Sequence, residues 1–143
     1  MTDLRLERDF ALSPDRLYMW VTHPEKLLQW WGPEGVTIVE CDLDFTRTGP
    51  WLSVMVGQES GQTFKVSGQV THVTPPKSVG FTWGWHDEKD QRGHESHVTF
   101  SVSETPTGSR LTIDHRDLDG SDMRAGHERG WTSALSKLTA KIS

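Results

Sequence analysis

From Val36 to His115 the chain alternates apolar and polar residues with a period of two, and from Met123 to Ile142 the period becomes that of a helix. That switch limits the architecture. A run of half-buried antiparallel strands and one long amphipathic helix must cover each other's apolar surface. Val39, Cys41, Leu43 and Phe45 read as the inward set of the first strand in the run, with Glu40, Asp42 and Asp44 toward solvent. Further strands carry Phe64, Val66 and Val70, then Phe81, Trp83 and Trp85, then Val98, Phe100 and Val102, then Leu111, Ile113 and His115. The stretch from Trp51 to Val56 is also a strand, but both its faces are partly apolar and parity does not orient it. The helical stripe is Met123, His127, Trp131, Leu135, Leu138 and Ile142, opened by a Ser121 cap and running to about Lys141.

The segment before the meander reads as a strand through Leu4, Leu6 and Phe10, followed by two short helices. Ser13-Pro14 supplies an N-cap and a first-turn proline for a helix to about Val21. His23-Pro24 starts a second one through Leu27, Leu28 and Trp30, and Gly32-Pro33 stops it. No repeat or linker interrupts the chain, so residues 1–143 are read as one domain.

Composition narrows the function. Fifteen basic residues against 20 acidic ones give a net charge of −5 with no basic cluster, which excludes nucleic acid as a partner. A single cysteine, Cys41, excludes an internal disulfide and a multi-cysteine zinc site and fits a reduced, cytoplasmic compartment. No apolar run is long enough for a membrane span, and the first residues lack a secretion signal. Seven tryptophans in 143 residues point to large packing units or to an aromatic-lined cavity.

The order of elements resembles the helix-grip superfamily of steroidogenic acute regulatory-related lipid transfer domains, polyketide cyclases and birch-pollen-allergen-like proteins. Within it the chain is most similar to single-domain proteins like the C-terminal domain of the activator of heat-shock protein 90 ATPase. The residues that carry this are Ser13 to Trp20, Leu28-Gln29-Trp30-Trp31-Gly32-Pro33, Gly68 to Lys77, Phe81-Thr82-Trp83, and His127-Glu128-Arg129-Gly130-Trp131. The resemblance implies an α+β fold, a seven-stranded curved antiparallel sheet with two short helices after its first strand and a long C-terminal helix packed across it. It also implies a bowl-shaped cavity between sheet and helix. Thr48-Gly49-Pro50-Trp51 departs from the paired glycines usual in such relatives.

Gly126 and Gly130 support a cavity independently. Each costs a helix about 1 kcal/mol relative to alanine, which calls for a packing or curvature reason. The expected ligand wall is Trp20, Trp30 and Trp31 as an aromatic rim, with Phe64, Val66, Phe81, Trp83, Trp85, Phe100, Ile113, His115, His127, Trp131 and Leu135 inside. The expected ligand is a small, largely apolar molecule. No cofactor or metal is implied. His94 and His97, three apart, read as pointing to opposite faces, and His127-Glu128 lacks the second histidine of the helical zinc motif. Nucleophile-elbow and phosphate-cradling motifs are absent. Two other functions stay open: a cyclase-like enzyme using His115, His127 or Asp117 as acid or base, and a chaperone-associated role implied by the resemblance. An exposed Trp30 and Trp31 patch would instead mark a homodimer contact.

Overall fold

Seven runs of alternating residues pair into one open, curved antiparallel sheet. The structure, a computed structural model, describes residues 2–142; Met1 and Ser143, the ends of the domain read from sequence, lie outside the described residues. The elements are β1 (Thr2–Phe10), α1 (Pro14–Thr22), α2 (Pro24–Leu27), β2 (Val36–Asp42), β3 (Gly49–Gly57), β4 (Thr63–Thr74), β5 (Ser78–His86), β6 (Arg92–Thr105), β7 (Gly108–Leu118) and α3 (Ser121–Ile142). Strands β2 to β7 form a meander, and β1 returns to pair with β7, giving the order β1-β7-β6-β5-β4-β3-β2. This is the α+β helix-grip arrangement expected from the order of elements.

Local chemistry sets the connections. Ser13 Oγ accepts from the Arg16 N–H at 3.4 Å and Pro14 occupies the first turn of α1. The Tyr18 hydroxyl donates to the Ser78 carbonyl at 2.9 Å, which ties α1 to the start of β5. The α2 turn is shorter than expected, ending at Leu27, and the chain from Leu28 to Trp31 drives both tryptophans into the core.

Strand β2 departs from simple alternation. Its pairing with β3 slips between Ile38 and Glu40, and a bulge of this kind reverses which residues face inward. Ahead of it Val36 and Ile38 are the partly buried pair and Val39 is 59% exposed. Cys41 pairs with inward-facing Ser53, on the face its parity requires, but at the sheet edge its thiol is exposed and not buried as expected. Beyond the strand, Leu43 and Phe45 return to the core as expected.

The unassigned faces of β3 resolve through hydrogen bonding. Trp51, Ser53 and Met55 point inward, and the two polar groups among them are satisfied there. The Trp51 indole N–H donates to the Thr82 carbonyl at 2.9 Å, and Ser53 Oγ accepts from the Trp31 indole N–H at 3.0 Å. Trp51 pairs across the ladder with Gly68, whose missing side chain makes room for the indole. A Cβ at that position would overlap the Thr82 carbonyl and crowd Trp51 Nε1 at 2.7 Å. Because backbone cannot yield as a flexible side chain does, Gly68→Ala is expected to lower stability by about 1–3 kcal/mol. Urea unfolding measures this, and an unchanged midpoint would contradict the close approach.

Candidate ligand cavity between sheet and helix

Helix α3 closes on β1 and β7 at one side of the sheet and stands away from the strands at the other. The gap is a cavity of about 520 Å³. Its sheet wall is Val36, Met55, Phe64, Trp83 and Trp85, and its helix wall is Met123, Gly126, His127, Gly130, Trp131 and Ala134. Trp31, Gly32 and Pro33 of the α2–β2 connection cover one end. Solvent-exposed Asp122 and Met123 stand at the opening.

Two hydrogen bonds of opposite direction join helix to sheet beside this space. Trp131 on the helix donates its indole N–H to His115 Nδ1 on β7 at 3.1 Å. Trp85 on β5 donates to His127 Nε2 on the helix at 3.0 Å. These donors assign both tautomers. His115 carries its proton on Nε2 and gives it to Ser96 Oγ at 2.7 Å, while His127 carries its proton on Nδ1 and gives it to the Met123 carbonyl at 2.9 Å. The two imidazole rings lie 4.5 Å apart, edge to face.

Burial disfavours the charged form of both rings. It pushes the His115 pKa down to about 2, with the neighbouring His127 and His97 adding to the effect. Burial also lowers that of His127, against a smaller opposing effect of the bond to the Met123 carbonyl. Both are neutral, fully engaged hydrogen-bonding groups.

Trp83 is the hub of the wall, with the rings of Trp31, Trp51, Trp85 and Trp131 between 5.4 and 5.8 Å from its own. Its indole N–H is buried and has no hydrogen-bond partner among the described residues. The N–H groups of Trp31, Trp85 and Trp131 are each donated inside the protein. What the cavity meets is therefore ring surface and aliphatic surface, with few free donors.

Of the residues expected at the wall, Phe64, Trp83, Trp85, His127 and Trp131 line the cavity. Trp20 does not; it is half-buried against the core, with Lys26 Nζ 4.5 Å over its ring. Trp30 is wholly buried, donating to the Trp20 carbonyl and packing on Phe100. Val66, Phe81, Phe100 and Ile113 face inward but lie in the close-packed core, where sheet, α1 and α3 meet without a gap. His115 sits behind Trp131, and Leu135 is a fully buried core residue, Ala134 taking its place at the wall.

Trp31, expected at the rim, does line the cavity, whereas sequence reasoning missed Met55, on a strand that parity did not orient, and Val36. Trp30 and Trp31 are 0% and 2% exposed, so no aromatic surface patch exists there to form a dimer contact. His94 and His97 also depart from expectation. Both converge on Asp117, His94 Nε2 on its carbonyl at 2.6 Å and His97 Nδ1 on its carboxylate at 2.9 Å, because Asp117 turns into the left-handed region with φ 64°. Asp117 therefore partners His97, not His115. Among the described residues no group of three metal-ligating side chains converges, and no helix is long and apolar enough to cross a membrane.

A family model for activator of Hsp90 ATPase homolog 1-like proteins matches residues 11–142. The chain belongs to this family. The crystal structure of the AHSA1 protein from Silicibacter pomeroyi is 60% identical, with 99% of this chain and 97% of that one covered at a TM-score of 0.93. A protein from Chromobacterium violaceum is 20% identical, with 99% and 98% covered at a TM-score of 0.85. One from Mycobacterium smegmatis is 22% identical, with 99% and 90% covered at 0.80. The last two share the fold. No curated protein matches the chain.

The neutral histidine pair gives this family member a pH signature. The unfolded chain takes up a proton on each histidine near pH 6.5, whereas folded His115 does so only near 2. The unfolded state thus binds more protons in that window, and stability falls as pH drops from about 6.5 toward 2, by up to about 1.4 kcal/mol per pH unit for His115. Urea unfolding at about pH 7, 6 and 5 is expected to show a shallower slope in His115→Gln than in the parent. Equal slopes would remove His115 as the source.

Proposed function

We propose that this protein binds a small, neutral, largely apolar molecule, with aromatic or lipid-like character, in the cavity between the sheet and α3. The observation that carries the reading is a wall of ring and aliphatic surface facing two helix positions, Gly126 and Gly130, that carry no side chain. A void of this size left empty would cost on the order of 10 kcal/mol at about 24 cal/mol per Å³, comparable to the stability of a whole domain. The space opens to solvent past Asp122 and Met123, so its candidate occupants are water and a ligand. Water is a poor occupant, because a buried water needs two to four polar partners and the indole and imidazole groups at this wall are mostly engaged elsewhere. An apolar molecule gains roughly 25 cal/mol for each Å² it removes from water. The volume lies within the roughly 300–1,000 Å³ typical of small-molecule sites.

An acid–base role inside the cavity draws less support. Of His115, His127 and Asp117, only His127 lines the space, and both its nitrogens are already hydrogen-bonded. A role with heat-shock protein 90 is supported by the family's description alone. The single cysteine favours a reduced, cytoplasmic setting.

Gly130 offers a sharp test, since a Cβ built there meets nothing within 4 Å. Gly130→Ala is expected to stabilise the helix by about 1 kcal/mol. Gly130→Leu projects a branched side chain into the space and is expected to weaken binding at least about tenfold. Quenching of tryptophan fluorescence by 2-naphthol and by dodecanoate, with native mass spectrometry for retained mass, reads both variants against the parent. If neither probe gives saturable quenching or a retained mass with the parent protein, the reading fails.

A further inference from the structure

On the sheet face turned away from the cavity, Ser67, His86 and Asp90 form one hydrogen-bonded chain. Ser67 of β4 and His86 of β5 follow Val66 and Trp85, whose side chains face the core and cavity, so strand alternation sends their own side chains to the opposite face. Ser67 Oγ lies 2.7 Å from His86 Nε2, and His86 Nδ1 lies 2.8 Å from Asp90 Oδ1. An ionised carboxylate only accepts, so Nδ1 carries the proton and Nε2 is free to take the Ser67 hydroxyl proton.

The surroundings fix these roles. Lys65 Nζ sits 2.9 Å from the same Asp90 oxygen and holds its carboxyl below the usual range. Asp90 adopts a φ of 60° in a turn pinned by Asp87, whose carboxylate accepts from the Lys89 and Gln91 N–H groups at 2.9 Å each. The His86 side chain is only 13% exposed. Arg92 donates twice to the Ser67 carbonyl, at 3.2 and 3.0 Å, and once to Glu95 at 3.1 Å. Its guanidinium lies over Gly84, the residue paired with Ser67, where any Cβ would collide with it. A positive charge is therefore held beside the serine.

We propose that Ser67, His86 and Asp90 form a nucleophile, a general base and its positioning carboxylate that hydrolyse small activated carboxylic esters, with Arg92 beside the developing oxyanion. Such a chain is recognised by geometry and roles, not by a sequence signature. Ser67 Oγ bonds to the ester carbonyl carbon as His86 Nε2 takes the hydroxyl proton. The bond to the leaving alcohol then breaks, and the alcohol departs with the proton from Nε2. Water attacks the acyl-serine, giving a proton to Nε2; the acyl bond to Ser67 breaks, Oγ regains that proton, and the carboxylic acid leaves.

The test uses the full chain with p-nitrophenyl acetate as substrate and a fluorophosphonate as covalent probe, mapped by peptide mass. The probe is expected on Ser67, and Ser67→Ala is expected to abolish labelling and ester turnover. His86→Gln is expected to slow labelling by about a hundredfold or more. Asp90→Asn, which admits the wrong imidazole tautomer, is expected to lower kcat with KM unchanged. Far-UV circular dichroism shows that each variant is folded. Absence of probe from Ser67, turnover that survives in Ser67→Ala, or equal rates in His86→Gln or Asp90→Asn would overturn the proposal. The cavity reading stands or falls separately, since its probes bind the other face.

Discussion

The crossed pair of indole-to-imidazole hydrogen bonds between α3 and the sheet is the constraint on which the remaining geometry rests. Trp131 donates from helix to sheet and Trp85 from sheet to helix, and the acceptors His115 and His127 touch each other. Each bond requires a neutral imidazole with one nitrogen unprotonated. The cluster therefore fixes the tautomers, the rotation of α3 and the standoff from the outer strands together. An apolar cluster of the same volume could repack in several ways, whereas leaving any one of these four polar groups without its partner would cost about 1–3 kcal/mol.

The clasp also explains why the cavity is not closed by collapse. With α3 tied at Trp131 and His127, the helix cannot sink toward Met55 and Phe64 without breaking one of those bonds. Gly126 and Gly130 flank His127 and stand on the cavity side of the same helix, so the positions that hold the helix and those that leave room beneath it alternate along its axis. The intrinsic helix propensity given up there is local, while the aromatic contacts that offset it run from Phe45 through Trp51 and Trp83 to Trp131.

Most of the architecture was legible because strand alternation and the helical stripe are long-range patterns that survive local error. The Phe81-Trp83-Trp85 run faces the core and cavity as its parity requires, and the two helix glycines line the cavity. What escaped was set by short-range geometry. One extra residue between Ile38 and Glu40 put Ile38, not Val39, on the inward face ahead of the bulge, the edge position of β2 left Cys41 exposed, and ending α2 at Leu27 buried Trp30. Ser53 faces inward by alternation with Trp51 and Met55, and its hydroxyl is satisfied there by the Trp31 indole N–H. The Ser67–His86–Asp90 chain was equally invisible, since its members come from two strands and a turn and form no linear motif.

The bulge in β2 has a further effect at the boundary of the sheet. The strand has no neighbour on its outer side, and an uninterrupted ladder of free N–H and C=O groups there would template pairing with a foreign strand. The irregularity breaks that ladder midway, and the exposed carboxylates of Glu40 and Asp42 follow it immediately. The same local insertion that misleads a parity argument thus opposes edge-to-edge aggregation of the β2 margin.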